Sequence, residues 1–145
     1  MVDAEAVARL RRAIGRLARM FNTASSSEGL TPTQASVLGL VAQRGPLGLA
    51  ELTELEGLNP TMVSRVVSKL DGDGLVRRLP DPADQRAVQL EATESGRRTH
   101  QRILAARTET VAKILEGLPP EVGDALRDAL PALEALAEGM RGTRG

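Results

Sequence analysis

Cysteine is absent from the 145 residues, which removes disulfide frameworks, thiolate metal sites and thiol redox sensing together. Histidine occurs once, at His100. Glu91, Glu94 and Glu109 stand at poor helical spacing from it, so a solvated or capping histidine is the expectation and no metal site follows. There is no second histidine to act as a base, and no G-x-G-x-x-G, P-loop or H-E-x-x-H sequence. Neither a nucleophile–base pair nor a phosphate cradle can be assembled, so no enzyme and no cofactor are expected. No apolar run approaches a membrane span, and Met1 to Ala8 has neither a basic start nor an apolar stretch. The expected location is cytoplasmic, with no membrane partner.

What is present is an ordinary soluble composition, 41% hydrophobic and 26% charged, over a length that buries a core without staples. The net charge of zero hides a distribution. Residues 64–107 hold nine basic side chains against six acidic, whereas residues 108–145 hold four against seven. A basic middle and an acidic end suit a polyanion-facing module carried on another scaffold.

Apolar periodicity divides the chain into elements. Val7, Leu10, Ile14, Leu17 and Phe21 form one stripe of a helix from Asp3 to Phe21, with Arg9, Arg12, Arg16 and Arg19 opposite, and the serine-rich run Asn22 to Gly29 reads as a loop. Those arginines read as a solvated face, with an anion site the lesser alternative. Thr31 caps and Pro32 starts a second helix that stops at Gly45-Pro46. A short helix is expected over Leu47 to Glu56, closed by Gly57. Asn59 then caps a helix from Pro60 to Asp71, which ends at Gly72-Asp73-Gly74. Two short helices and a tight turn are helix-turn-helix grammar. From Leu75 the period changes: Leu75 to Leu79 and Ala87 to Glu91 read as the strands of a hairpin, and Pro80 and Pro82 keep its long tip out of regular pairing. A long helix begins at Thr93, carries a stripe of Leu104, Val111, Leu115 and Leu118, and is stopped by Gly117 and Pro119-Pro120. A last helix from about Pro120 to Met140 carries Val122, Leu126, Leu130, Leu133, Leu136 and Met140 ahead of a frayed Gly-Arg tail.

The helix opening at Asn59 carries the sharpest chemistry. At 100° per residue Val63, Val67 and Leu70, with Val66 beside them, point to the core and leave Thr61, Ser64, Arg65 and Ser68 outward. Short hydroxyl side chains permit close approach to base edges, Arg65 offers a fork to guanine, and the helix N-terminus favours a phosphate. An ordinary amphipathic helix with a polar face is the plainer alternative. At the hairpin tip, Arg86 suits the negative potential of a minor groove, while Asp84 either pairs with it or braces the loop. Arg77 and Arg78 alternate across a strand, so only one of them faces DNA. A winged module that binds proteins instead would need an acidic or apolar outward face over residues 60–68; Thr61, Ser64, Arg65 and Lys69 favour DNA.

Leu30-Thr31-Pro32-Thr33-Gln34-Ala35, the stretch Asn59 to Leu70, Gly74-Leu75-Val76-Arg77-Arg78, Asp84-Gln85-Arg86 and Leu90 to Gly96 occur in one order and spacing. In this the chain resembles the MarR family. That resemblance implies a mainly α fold with a small β-hairpin wing: a dimerisation helix and loop over residues 1–29, a winged helix-turn-helix DNA-binding domain over 30–96, and dimerisation helices over 97–145. It implies a homodimer on the pseudo-palindromic operator of a double-stranded DNA, acting as a transcriptional regulator, with repression the commoner mode. The DNA-contacting set is then Gln34, Ser36, Asn59, Pro60, Thr61, Ser64, Arg65, Ser68, Lys69, Arg77, Asp84 and Arg86. A small-molecule effector is a further partner the resemblance implies. Phe21 is the sole aromatic residue, which argues against an aromatic stacking pocket for it.

Overall fold

A computed structural model describes residues 2–84 and 86–143, with the backbone alone for Arg141. Six helices and three strands follow in the order α1 (Ala4–Ser27), α2 (Pro32–Arg44), β1 (Leu47–Gly48), α3 (Leu49–Glu56), α4 (Pro60–Gly72), β2 (Val76–Pro80), β3 (Val88–Ala92), α5 (Glu94–Glu116) and α6 (Pro120–Gly142) among the described residues. The chain divides into two compact units, residues 1–106 and residues 107–145.

In the first unit the core lies where α2, α3, α4 and the sheet meet. Val37, Leu38, Leu52, Val63, Val67, Leu70 and Leu90 are fully or almost fully excluded from solvent. The helix starts are built as their residues dictate. Thr31 and Gln34 form a reciprocal capping box ahead of Pro32, and the Asn59 side chain accepts the Met62 N–H at 2.8 Å ahead of Pro60.

Four boundaries differ from the sequence expectation. The serine-rich run is helical through Ser27 rather than a loop from Asn22. Ser25 and Ser27 donate their hydroxyls to the carbonyls of Asn22 and Ala24 three residues back, so the polar groups are satisfied inside the helix. The chain turns only at Gly29, whose φ of 74° lies in the left-handed region. Leu47 and Gly48 are not helical but form a two-residue strand paired to β3, Leu47 opposite Leu90 and Gly48 opposite Gln89. The wing is therefore a three-stranded antiparallel sheet in the order β1-β3-β2. The hairpin strands each lie one residue later than expected, because Leu75 N–H is taken by Leu70 O in closing α4. Pro80 belongs to β2, opposite Val88, instead of lying in the tip. As an edge strand, β2 loses nothing by the missing N–H.

At the wing's exit, Thr93 Oγ1 donates to Gly74 O at 2.6 Å and accepts Gly96 N–H at 3.0 Å, while Thr93 N–H binds Leu75 O at 3.0 Å. Gly96 lies so close to the residue that precedes β2 that a Cβ there would overlap the Leu75 carbonyl. Arg102 holds Glu28 with two hydrogen bonds, of 2.9 and 3.2 Å, and so ties the end of α1 to α5. The hydrogen bond, then the charge, of Glu28 raises the Arg102 guanidinium above its ordinary pKa. His100 is half-buried over Gly39, with Gln43 Nε2 at 3.5 Å from its ring.

The second unit holds the end of α5, the Gly117 to Pro119 break and α6, which contains Pro131 and continues two residues past Met140. Of the frayed tail expected after Met140, residues 144–145 lie outside the described residues. No helix among the described residues is long and apolar enough to cross a membrane.

Candidate nucleic-acid interface

The candidate surface is the outward side of α4. Val63, Val67 and Leu70 are 0%, 1% and 0% exposed, which fixes the helix's rotation as the 3.6 period requires. Thr61, Ser64, Arg65, Ser68 and Lys69 all emerge on the solvent side. No acidic residue lies in the first turn, so the partial positive charge of the helix start is uncompensated. The Arg65 guanidinium has no protein partner among the described residues, whereas Lys69 is paired with Asp73 one turn on, at 3.2 Å.

The two strand arginines are separated by their contacts. Arg78 Nη2 donates to Ser68 Oγ at 3.2 Å, and Nη1 lies 3.2 Å from Asp71 Oδ2, both on α4. Arg77 points to the other face, where Glu91, its register partner on β3, takes Nε at 2.7 Å. Sequence reading leaves this pair open because alternation says only that the two differ. The Gly72-Asp73-Gly74 turn, with Gly74 at φ 73°, folds β2 back along α4 and decides which one meets the helix.

At the wing tip Asp84 braces the loop rather than the Arg86 side chain: its Oδ1 accepts the Arg86 backbone N–H at 3.0 Å. Asp81 does the same for Ala83 N–H at 2.8 Å. Two such turns, with Ala87 N–H bonded to Asp84 O at 3.0 Å, present the Arg86 side chain to solvent without an ion-pair partner among the described residues. Gln85 lies outside the described residues.

The remaining candidates serve the scaffold as well. Gln34 Oε1 and the Asn59 side chain are engaged in capping, and Pro60 is the first residue of α4. Ser36 is exposed on α2, but its hydroxyl donates to Glu56 Oε1 at 2.7 Å and links α2 to the end of α3. Thr61, Ser64, Arg65, Ser68 and Arg78 thus form one continuous group on and beside α4. Arg86 stands apart on the wing.

The MarR family model matches residues 30–88, from the approach to α2 into the wing's last strand. Over 136 residues the chain is 31% identical to the HTH-type transcriptional regulator Mb0904 of Mycobacterium bovis, covering 94% of this chain and 95% of that one. Over 94 residues it is 29% identical to the HTH-type transcriptional repressor MdtR of Bacillus subtilis, covering 65% and 61%. Among solved structures, the transcriptional regulator Tm0710 of Thermotoga maritima matches with a TM-score of 0.78 at 28% identity, over 94% of this chain and 96% of that one. A winged helix-turn-helix fold, a capped α4 with a polar outward face, and near full-length relatives that are transcriptional regulators rather than enzymes agree: the chain belongs to the MarR family of transcriptional regulators.

Proposed function

We propose that the chain binds double-stranded DNA as a homodimer at a pseudo-palindromic operator and represses transcription there, in the cytoplasm. The carrying observation is the outward face of α4, where Thr61, Ser64 and Ser68 flank an Arg65 that has no partner among the described residues, behind a first turn that carries no acidic residue. Thr61, Ser64 and Arg65 then lie along base edges in the major groove. Ser68, Lys69, Arg78 and the starts of α2 and α4, with Gln34, Ser36, Asn59 and Pro60 near them, lie toward the phosphates. Arg86 reaches the adjacent minor groove from a tip that Asp84 shapes. Arg77, held by Glu91, keeps to the opposite face of β2.

The dimer is supported by apolar surface that one chain leaves uncovered. Val7, Leu10, Ile14 and Leu17 on α1 are 39–52% exposed, and Val122, Leu126, Leu130, Leu136 and Met140 on α6 are 37–59% exposed. Stripes of this kind call for a partner. Residues 1–29 and 97–145 take the dimerisation role in this reading, and residues 30–96 the DNA-binding role. Repression is the function named for MdtR. A small-molecule effector that releases the operator belongs to the same reading, and a chain whose sole aromatic residue is Phe21 directs it away from ligands that need stacking.

The test is titration of labelled duplex, selected by the protein from random DNA, at two salt concentrations. Affinity falls steeply with salt, by a slope that counts several phosphate contacts, and two chains bind each duplex. Salt-independent binding, or no preference for the selected duplex over random DNA, contradicts the proposal.

A further inference from the structure

Among the described residues, the large apolar side chains left exposed fall within residues 2–17 and 104–140, with one exception. Among the described residues from 18 to 103, Met62 alone is large, apolar and exposed, at 48%. The other apolar residues of α4 are buried or packed against the core, Val63 at 0%, Val67 at 1%, Leu70 at 0% and Val66 partly covered. Met62 has no place in that core. It lies in the first turn of α4, its N–H held by the Asn59 cap at 2.8 Å, between Thr61 and the Ser64-Arg65 pair. The uncovered stripes of α1 and α6 are explained by a partner chain; this isolated methionine is not, because it belongs to the element turned to DNA.

The major groove presents one apolar group on base edges, the C5-methyl of thymine. A flexible, polarisable thioether fills the shallow space around a methyl well, and the first turn of a recognition helix is the part that reaches base edges. Resting on the DNA-binding reading above, we infer that Met62 is a specificity-determining residue that selects thymine in each half-site by apolar contact with its C5-methyl. Thr61 and Arg65 read by hydrogen bonds; Met62 reads by exclusion of water.

The experiment uses the full chain and the duplex it selects from random DNA. Each thymine in one half-site, and its symmetry mate, is replaced in turn by deoxyuridine, which keeps pairing and removes only the methyl. At one thymine the wild-type protein loses about fourfold in affinity per half-site, the worth of one buried methyl. Met62→Ala binds the parent duplex more weakly and is indifferent to deoxyuridine at that thymine, while its salt slope is unchanged. The change on the DNA side leaves the protein's folding untouched. Selected half-sites without an invariant thymine, equal binding of thymine and deoxyuridine duplexes, or a Met62→Ala protein that keeps the full deoxyuridine penalty overturn the inference while leaving DNA binding intact. Absence of any selected duplex overturns the DNA-binding reading, and the role of Met62 with it.

Discussion

Arg65 and Arg86 are both exposed and unpaired among the described residues, yet they stand on different supports. Arg65 rises from a helix whose rotation three buried side chains fix, and Arg86 from a tip shaped by Asx turns. A rigid support suits bidentate recognition of one base, and a loop suits attraction to a narrow groove. Arg65→Ala is therefore expected to cost about 1–3 kcal/mol of binding and to relax base preference at one position. Arg86→Ala weakens binding with little change in the selected sequence. Competition titration against single-base variants of the selected duplex separates the two outcomes; an unchanged preference in Arg65→Ala contradicts its role. At this scale the sequence was legible where one periodicity governs: the rotation of α4 follows from Val63, Val67 and Leu70. It was not legible where contacts depend on how two elements meet. Arg77 and Arg78 are equivalent until the turn at Gly74 lays β2 along α4, and Ser36 gives no sign of its bond to Glu56, twenty residues away.

The elements themselves were largely legible because capping is local chemistry. Thr31-Pro32 and Asn59-Pro60 mark two helix starts, and Gly45 and Gly57 two stops, within a few residues of each signal. The errors fall where a local signal has two outcomes. A serine run reads as a loop by propensity, yet hydroxyls that bond back to the preceding turn leave α1 intact to Ser27. A two-residue strand such as β1 has no period to detect, and only its pairing with Leu90 and Gln89 defines it. The knot joining Gly74, Leu75, Thr93 and Gly96 fixes the wing to α5, and Gly96 has no room for a side chain. Gly96→Ala is expected to destabilise the fold by about 1–3 kcal/mol, the cost of forcing backbone apart in a packed site. Ser95→Ala, one residue earlier and exposed, should leave stability near the parent value. Denaturant melts of the two variants check this, and equal midpoints would count against the close approach.

For the molecule as a whole, the proposed division of labour rests on apolar stripes at both ends of the chain and a polar helix in the middle. Leu130 on α6 is 49% exposed in the single chain, so a charge there meets water in a monomer, whereas in the proposed dimer it would meet an apolar partner. Leu130→Glu is expected to shift sedimentation from two chains toward one while the winged region keeps its helical signal. An unchanged dimer would place the interface elsewhere. Loss of the dimer should weaken operator binding by orders of magnitude, because two half-sites bound together gain from effective concentration.

Protection of guanine N7 from methylation by dimethyl sulfate tests the central claim most directly, since N7 lies in the major groove. On the selected duplex the account requires two protected clusters about one helical turn apart, related by two-fold symmetry, with one guanine in each regaining reactivity in Arg65→Ala. Bound duplex with every guanine N7 still reactive, or protection confined to minor-groove adenine N3, would contradict it.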